Sequence, residues 1–558
     1  MTGLTIGRGA VVLGGVCAAV LLGGCGSSSY AGWGGSDMST GNNGRQCFGA
    51  NDCNPGQYCN QFGFCVGVPV GGGSADAGGG PAPPETIVHV DPPATGKRYV
   101  YVAVPDQDTV VKIDSVGLQV RTISVGKNPA PLRTLPGEDV ALVLNRGAAS
   151  ATLLRTRADG GDDLLTFQTA AGLNQLTMSP DGRYGIAWFD LTLSGGTLSP
   201  RQTFQDVTLF ALAAGKEQAV NLSVGFRPSQ VKYAPDGSAA YVITEQGVSV
   251  IPLAQTPHAQ IVPTVPLRKD VLAEDPADDV AITPDGKLAL ARIPKLAALR
   301  VVDLATRAII DLPLDAEPSD VGVSPDGKLA VAILRDQKLV AFIPLPDALA
   351  DVTRIEKVAT KDYAVGQVVI TADGKHGLLF TNAVVQKVLL VADLATHAIA
   401  TFPLKKGVRA VYASPDGLSA VVIHNKTPGT PNPNDPLDSY LDKLEGYSLF
   451  HLDGGYAKLL PTDAAPGQLA FAPDGKTGYL LLSGTTPLVR TVEAIDLQSF
   501  LVTSVALGSP PVAVGVVPST KQVYVAQDHP LGRMTFVDEA SFQPRTLTGF
   551  GLNGQIIE

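Results

Sequence analysis

The chain reads as an all-β protein: a single closed β-propeller of four-stranded blades behind a small disulfide-rich module. Three observations predict this. The tripeptide Pro-Asp-Gly recurs at Pro180-Asp181-Gly182, Pro235-Asp236-Gly237, Pro284-Asp285-Gly286, Pro325-Asp326-Gly327, Pro415-Asp416-Gly417 and Pro473-Asp474-Gly475, with Ala372-Asp373-Gly374 as a near copy. Between copies lie four short apolar runs; residues 284–324 read Pro-Asp-Gly, KLALARI, LRVVDLAT, RAIIDLPL and PSDVGVS before Pro-Asp-Gly returns. No long segment carries a 3.6-residue period. Four strands in a repeat of roughly 40 to 60 residues are the signature of propeller blades. The missing helical period excludes a helical solenoid, and a β-helix has much shorter repeats.

Residues 1–24 read as a signal peptide. Arg8 precedes an apolar stretch, Ala10 to Leu22, too short to span a bilayer as a mature helix. The stretch ends in Leu22-Gly23-Gly24-Cys25, which resembles the bacterial lipobox. That resemblance implies cleavage before Cys25 and a diacylglyceryl group on its thiol. Gly26, rather than Asp, implies sorting to the outer membrane of a bacterial cell envelope. An ordinary cleaved signal with a chance Cys is the alternative. Residues 25–46 then form the lipidated Cys and a Gly/Ser-rich tether.

Residues 47–65 hold Cys47, Cys53, Cys59 and Cys65, and no Cys follows. Four evenly spaced Cys in an exported Gly/Asn-rich segment read as two disulfides, with three connectivities open. A zinc site would show Cys-x-x-Cys pairs, whereas each gap here is five residues. The run CFGANDCNPGQYCNQFGFC resembles small cysteine-rich modules of the Dickkopf N-terminal type. So short a segment has little core, so the cross-links hold it by restricting the unfolded chain. Residues 66–95 are a Gly-rich, then Pro-rich linker.

The propeller is expected over 96–558. In its repeated turn, Pro presets φ, Asp accepts backbone N–H bonds and Gly takes positive φ at no steric cost. A second Asp, at Asp303, Asp393, Asp496 and Asp538, recurs at a later strand-to-strand turn and is expected to cap it; a calcium loop would need an oxygen spacing that is absent. The turn Gly and its degenerate equivalents count ten units, while seven or eight blades are commoner, so the expectation is one ring of seven to ten blades. The first unit lacks an incoming strand, and the C-terminal NGQIIE is expected to supply it and close the ring. Two smaller propellers are the alternative, but no linker-like break lies between 96 and 558.

The segments KRYVYVAVPDQDTVVKID (97–114) and KQVYVAQ (521–527), with the six Pro-Asp-Gly copies, resemble the YVTN-type bacterial propellers. That resemblance implies the fold, and a family that includes surface-layer, adhesive and periplasmic members.

Chemistry is sparse. The net charge of −10 argues against a nucleic-acid partner. His89, His258, His376, His397, His424, His451 and His529 are scattered, without a His-x-x-x-His pair or Cys-x-x-Cys-His. No Gly-x-Ser-x-Gly elbow or phosphate loop is present. A histidine-ligated haem would need an axial His at the channel, which sequence cannot place. Insertions at 189–206, 267–279 and 425–446 break the period. In the last, Asp435, Asp438, Asp442 and Glu445 are candidate cation ligands, against the plainer reading of a solvated loop. The expectation is a membrane-anchored, non-catalytic binding platform for a protein or polysaccharide, without cofactor, metal or catalytic residue. The alternative, which the resemblance implies, is a lactonase-like or metal-dependent hydrolase working through a His, Glu and Arg at the channel mouth, a trio that no motif here assembles.

Overall fold

The structure is a computed structural model, and it describes residues 57–59, 65–67, 93–191, 204–255, 258–424, 426, 436–552, 556 and 557. Gln57–Cys59 and Cys65–Gly67 form an antiparallel pair with Cys59 opposite Cys65. The rest is a propeller of ten blades, each made of four sequence-consecutive antiparallel strands. The blades span 94–124, 129–168, 175–223, 228–266, 279–313, 320–359, 367–403, 408–462, 466–506 and 511–548. First strands of neighbouring blades approach one another, including the last blade and the first, so they line the centre of a closed ring. The literal count of ten units is therefore the right one.

The core is not one mass but ten seams. Ten buried apolar clusters are present among the described residues, each joining two neighbouring blades. The second strand of blade 4 shows why. Ala240 and Val242 face blade 3, whereas Tyr241 and Ile243 face blade 5. Both faces of each sheet are buried, so inner strands such as Val140–Asn145 read as unbroken apolar runs rather than alternating ones.

Each Pro-Asp-Gly turn joins the first and second strands of a blade. In five of the turns, counting the Ala372-Asp373-Gly374 copy, the Ser or Thr just before the tripeptide completes it. The Ser179, Thr283, Ser324, Thr371 and Ser414 hydroxyls donate to the turn Asp at 2.5–2.7 Å, and each accepts the N–H of the first residue beyond the turn's closing position, as Tyr184 N does at 2.9 Å. The turn Gly has φ near +70°, and it lies against the turn of the preceding blade. A Cβ on Gly417 would sit 2.7 Å from Asp373 Cγ, and one on Gly475 2.6 Å from Asp416 N. The glycine thus supplies both a left-handed φ and a close approach.

The second recurrent Asp stands in the hairpin between third and fourth strands. Asp303 Oδ1 accepts Ala305 N at 2.9 Å and Thr306 N at 2.7 Å, and Asp393, Asp496 and Asp538 repeat this. The residue four beyond each Asp takes a left-handed φ: Arg307, His397, Phe500 and Phe542, with Leu118 as the equivalent in blade 1. Leu118 packs into the seam with blade 10, and Phe500 into that with blade 8.

Closure differs from the expectation. The incoming strand of blade 1 is its own Ala94–Thr95, ahead of residue 96, and Ile556–Ile557 instead pairs with Pro544–Thr548 as a fifth, outermost strand of blade 10. Among the described residues, no strand is exchanged between the first blade and the last. The seam closes by packing of Val100, Val102 and Ile113 on Val517, Tyr524 and Phe536. Side chains tie it: Tyr524 Oη donates to Pro93 O at 3.1 Å, Arg545 Nη1 to Val116 O at 2.8 Å and Gln107 Nε2 to Gly551 O at 2.7 Å, while Ser115 and Thr520 hydroxyls meet at 2.8 Å.

Candidate functional site

Strand parity gives the ring two chemically different ends. Connections from first to second and from third to fourth strands lie at one end, which carries the recurrent Asp turns. Connections from second to third strands, and from one blade to the next, lie at the other. All three insertions belong to that second end: 189–206 and 425–446 join second to third strands, and 267–279 joins blades 4 and 5. Parity counting along the sequence alone would have revealed this shared placement. Pro93, where the described ring begins, also enters at this end, because it leads into a first strand.

The channel between the ends is lined by the first strands, whose inner backbone groups are free of sheet pairing. Side chains from neighbouring blades satisfy several of them. Asp320 Oδ2 accepts Val368 N at 2.9 Å, Gln468 Oε1 accepts Val514 N at 2.9 Å, and Lys232 Nζ donates to Val280 O at 2.6 Å. Burial, with the Asp279 carboxylate adding to it, pushes the Asp320 carboxyl up to about 6.

At the insertion end, the three segments are built differently. Around blade 3, Phe189, Phe204 and Phe226 form a ladder with centroids 5.9 and 5.8 Å apart, and the Arg227 guanidinium lies 5.1 Å over Phe226. The blade 4–5 connection is pinned from below. Arg300, 1% exposed, pairs with Glu274 of the insertion and, at 2.7 Å, with Asp311. Arg268 donates to the carbonyls of Val271, Glu274 and Glu245.

The third insertion ends in the helix Pro436–Leu441. Lys406, fully buried in the connection from blade 7 to blade 8, donates from Nζ to Leu441 O at 2.6 Å and anchors it. The proposed cation ligands of this insertion are not brought together. Asp442 pairs with Lys387 at 2.9 Å, Glu445 accepts Lys426 N at 3.2 Å, the backbone of Asp438 lies in the helix, and Asp435 falls outside the described residues. No group of three or more potential ligands is found among the described residues.

His376 and His397 share blade 7, His424 and His451 share blade 8, and His397, His424 and His451 have structural partners. His424 is fully buried at the end of a second strand, with Nδ1 2.9 Å from Gly407 O and Nε2 2.7 Å from Ser448 Oγ. Burial lowers its pKa to about 4. The same place in blade 10 holds Gln527, which accepts Ser509 N at 2.8 Å and donates to Thr535 Oγ1 at 2.6 Å, and in blade 2 Asn145, which donates to Ser150 and Thr152. In blades 8 and 10 this polar residue ties the incoming connection to the blade, whereas Asn145 bonds within its own blade. His451 stacks on Phe500 with centroids 4.1 Å apart, and His397 stacks on Phe342. His258 and His376 lie towards the Asp-turn end, His529 at the insertion end, and His89 outside the described residues. Cys25, Cys47 and Cys53 also lie outside them, and of Cys59 and Cys65 only the strand pairing is described.

No family model matches the chain, and no curated protein matches it. Solved structures do. Kuenenia stuttgartiensis hydrazine synthase is 19% identical, covering 66% of this chain and 95% of that one at a TM-score of 0.31. Dihydro-heme d1 dehydrogenase NirN, in complex with DHE, is 14% identical over 74% of each chain at 0.41. A eukaryotic initiation factor is 11% identical, covering 72% of this chain and 94% of that one at 0.47.

Proposed function

We propose that this chain is a lipid-anchored protein of a bacterial cell envelope, of YVTN type, whose propeller is a non-catalytic binding platform with the insertion end as its ligand face. The observation that carries this reading is the convergence of all three insertions on one end of a rigid ring, since surface loops on a fixed scaffold carry recognition more often than cores do. The lipobox-like Leu22-Gly23-Gly24-Cys25 and the spacer after it support the anchor, and Cys47, Cys53, Cys59 and Cys65 support a cross-linked module between anchor and ring. A protein or polysaccharide of the envelope is the ligand class. The hydrolytic alternative needs a histidine at the channel mouth, and His397, His424 and His451 are each engaged in contacts between or within blades.

Two measurements test it. Metabolic labelling with an alkyne palmitate analogue should mark the wild-type chain and not Cys25→Ser; equal labelling refutes the anchor. Replacing 192–203 and 427–435 by short Gly-Ser links should abolish binding of the ring to isolated envelope polymer without lowering its melting temperature. Unchanged binding refutes the ligand face.

A further inference from the structure

At the insertion end, blades 7 and 8 build a patch unlike the rest of that end. The helix Pro436–Leu441 buries Leu441 but turns Leu437 and Tyr440 outward, 60% and 59% exposed. The neighbouring second-to-third connection of blade 7 exposes Val384 and Val385 at 52% and 59%. The two segments are one unit. Lys387, at the end of that connection, pairs with Asp442 just past the helix, and Lys406 holds the helix by Leu441 O. A Cβ on Gly407, beside Lys406, would sit 3.2 Å from Val385 Cγ1. Four large apolar side chains therefore project together.

The rim of this patch is cationic. Lys405, Lys426 and Lys443 are exposed, and Arg409 is half-buried beside them in sequence and at the same end. Of the carboxylates in these connections, Asp442 is neutralised by Lys387 and Glu445 is turned to the backbone of Lys426, while Asp435 and Asp438 of the insertion set two negative charges against the Lys and Arg side chains. This is a local basic surface on a chain of net charge −10. Protruding apolar side chains ringed by Lys are what an interfacial bilayer contact requires: the apolar groups enter the boundary of headgroups and acyl chains, and the ammonium groups meet lipid phosphates. Chain direction agrees, because the tether joins the ring at Pro93, on this same end.

We propose that the blade 7–8 patch docks on an anionic phospholipid surface, with Leu437, Tyr440, Val384 and Val385 inserted and Lys405, Lys426 and Lys443 at the headgroups. The docking holds the ring with its insertion end towards the bilayer and its Asp-turn end away. This rests on the reading of the insertion end as the interaction face. It does not rest on lipidation, so the test leaves the acyl chain out.

The test is flotation of the full mature chain carrying Cys25→Ser with vesicles of phosphatidylcholine alone or with about 30 mol% phosphatidylglycerol. Binding is expected only to the anionic vesicles, and to fall away at about 0.5 M NaCl. Leu437→Ser with Tyr440→Ser, and separately Lys405→Glu with Lys443→Glu, should each weaken it by about tenfold or more. Val271→Ser with Leu272→Ser, equally exposed at the same end but on the blade 4–5 insertion, should leave it within about twofold. All substituted side chains are exposed, so the ring should melt unchanged. No binding, equal binding to both vesicle types, or binding insensitive to both patch variants overturns the proposal. A chain that fails here but still binds envelope polymer through its loops leaves the platform reading standing.

Discussion

His397 lies flat on Phe342 of the preceding blade, with ring centroids 4.3 Å apart and planes 12° from parallel. Its Nδ1 is 2.6 Å from Glu356 Oε2, also of that blade, and its backbone sits at φ +60°. The side chain is a peg driven from one blade into the next. The residues at the same turn position in blades 1, 9 and 10, Leu118, Phe500 and Phe542, are pegs of the same kind.

His397→Ala should therefore lower the urea midpoint, with a cost of about 1 kcal/mol from the lost stack. His397→Phe, which keeps the ring, should recover most of it. Equal midpoints for wild type and the Ala variant would remove the peg role.

Gly417→Ala should be more costly. The added methyl meets Asp373 Cγ at 2.7 Å in a backbone held at φ +73°, so the turn must strain or the neighbouring turn must move. A loss of about 1–3 kcal/mol is expected. Gly137→Ala, at the same φ but with open space around the new methyl, should lose less. Equal losses would mean that φ alone, and not the turn-to-turn contact, explains the glycine.

His424 sets an acid limit. Its folded pKa is about 4, below the ordinary histidine value of 6.5, because burial disfavours the imidazolium. The unfolded chain therefore binds the proton first. Stability is full above pH 6.5 and falls as the pH drops from there towards 4, by on the order of 3 kcal/mol from this group. His424→Gln, borrowing the residue that blade 10 uses at the same place, should flatten that part of the pH–stability curve. An unchanged slope between pH 6.5 and 4 would refute the assignment. Asp320 works with opposite sign. Its carboxyl, raised to about 6, makes the folded state the stronger proton binder, so its contribution rises as pH falls from 6 towards 4.

Arg300→Met tests the pinning of the blade 4–5 insertion. Removing the buried guanidinium leaves Asp311 and Glu274 without their shared cation, at a cost of about 3–5 kcal/mol if both carboxylates stay in place. Amide exchange should accelerate first across 267–279. Faster exchange spread evenly over blades 4 and 5 would show that Arg300 supports the blades and not the insertion.

The turns were legible because their hydrogen bonds and the left-handed φ of the Gly all lie within six positions of chain, whereas the Gly's approach to the preceding blade's turn does not. Pro180, Asp181 and Gly182 close on Ser179 and Tyr184, all inside one hairpin. The Ser or Thr before Pro was equally visible as a signal, but its role appears only once the hydroxyl is seen bridging Asp and backbone. Ring closure was misread for the opposite reason. A short apolar run such as Ile556–Ile557 has the composition of an inner or an outer strand alike, and only its pairing to Leu547 and Thr548 decides. The roles of His397 and His424 were hidden because Phe342 and Ser448 stand 55 and 24 residues away. The patch on blades 7 and 8 escaped notice because it is assembled from three connections that meet only in the folded ring.

Among the described residues, every blade is folded from its own unbroken stretch of chain, and the first and last blades are joined by side-chain contacts and not by a shared strand. In a ring closed by a shared strand, one blade depends on both ends of the chain. Here, a blade is a removable module. Duplicating or deleting one stretch of gene from one Pro-Asp-Gly to the next would leave every remaining sheet complete and every seam of the same kind, so a ring of this design changes its size without rethreading the chain.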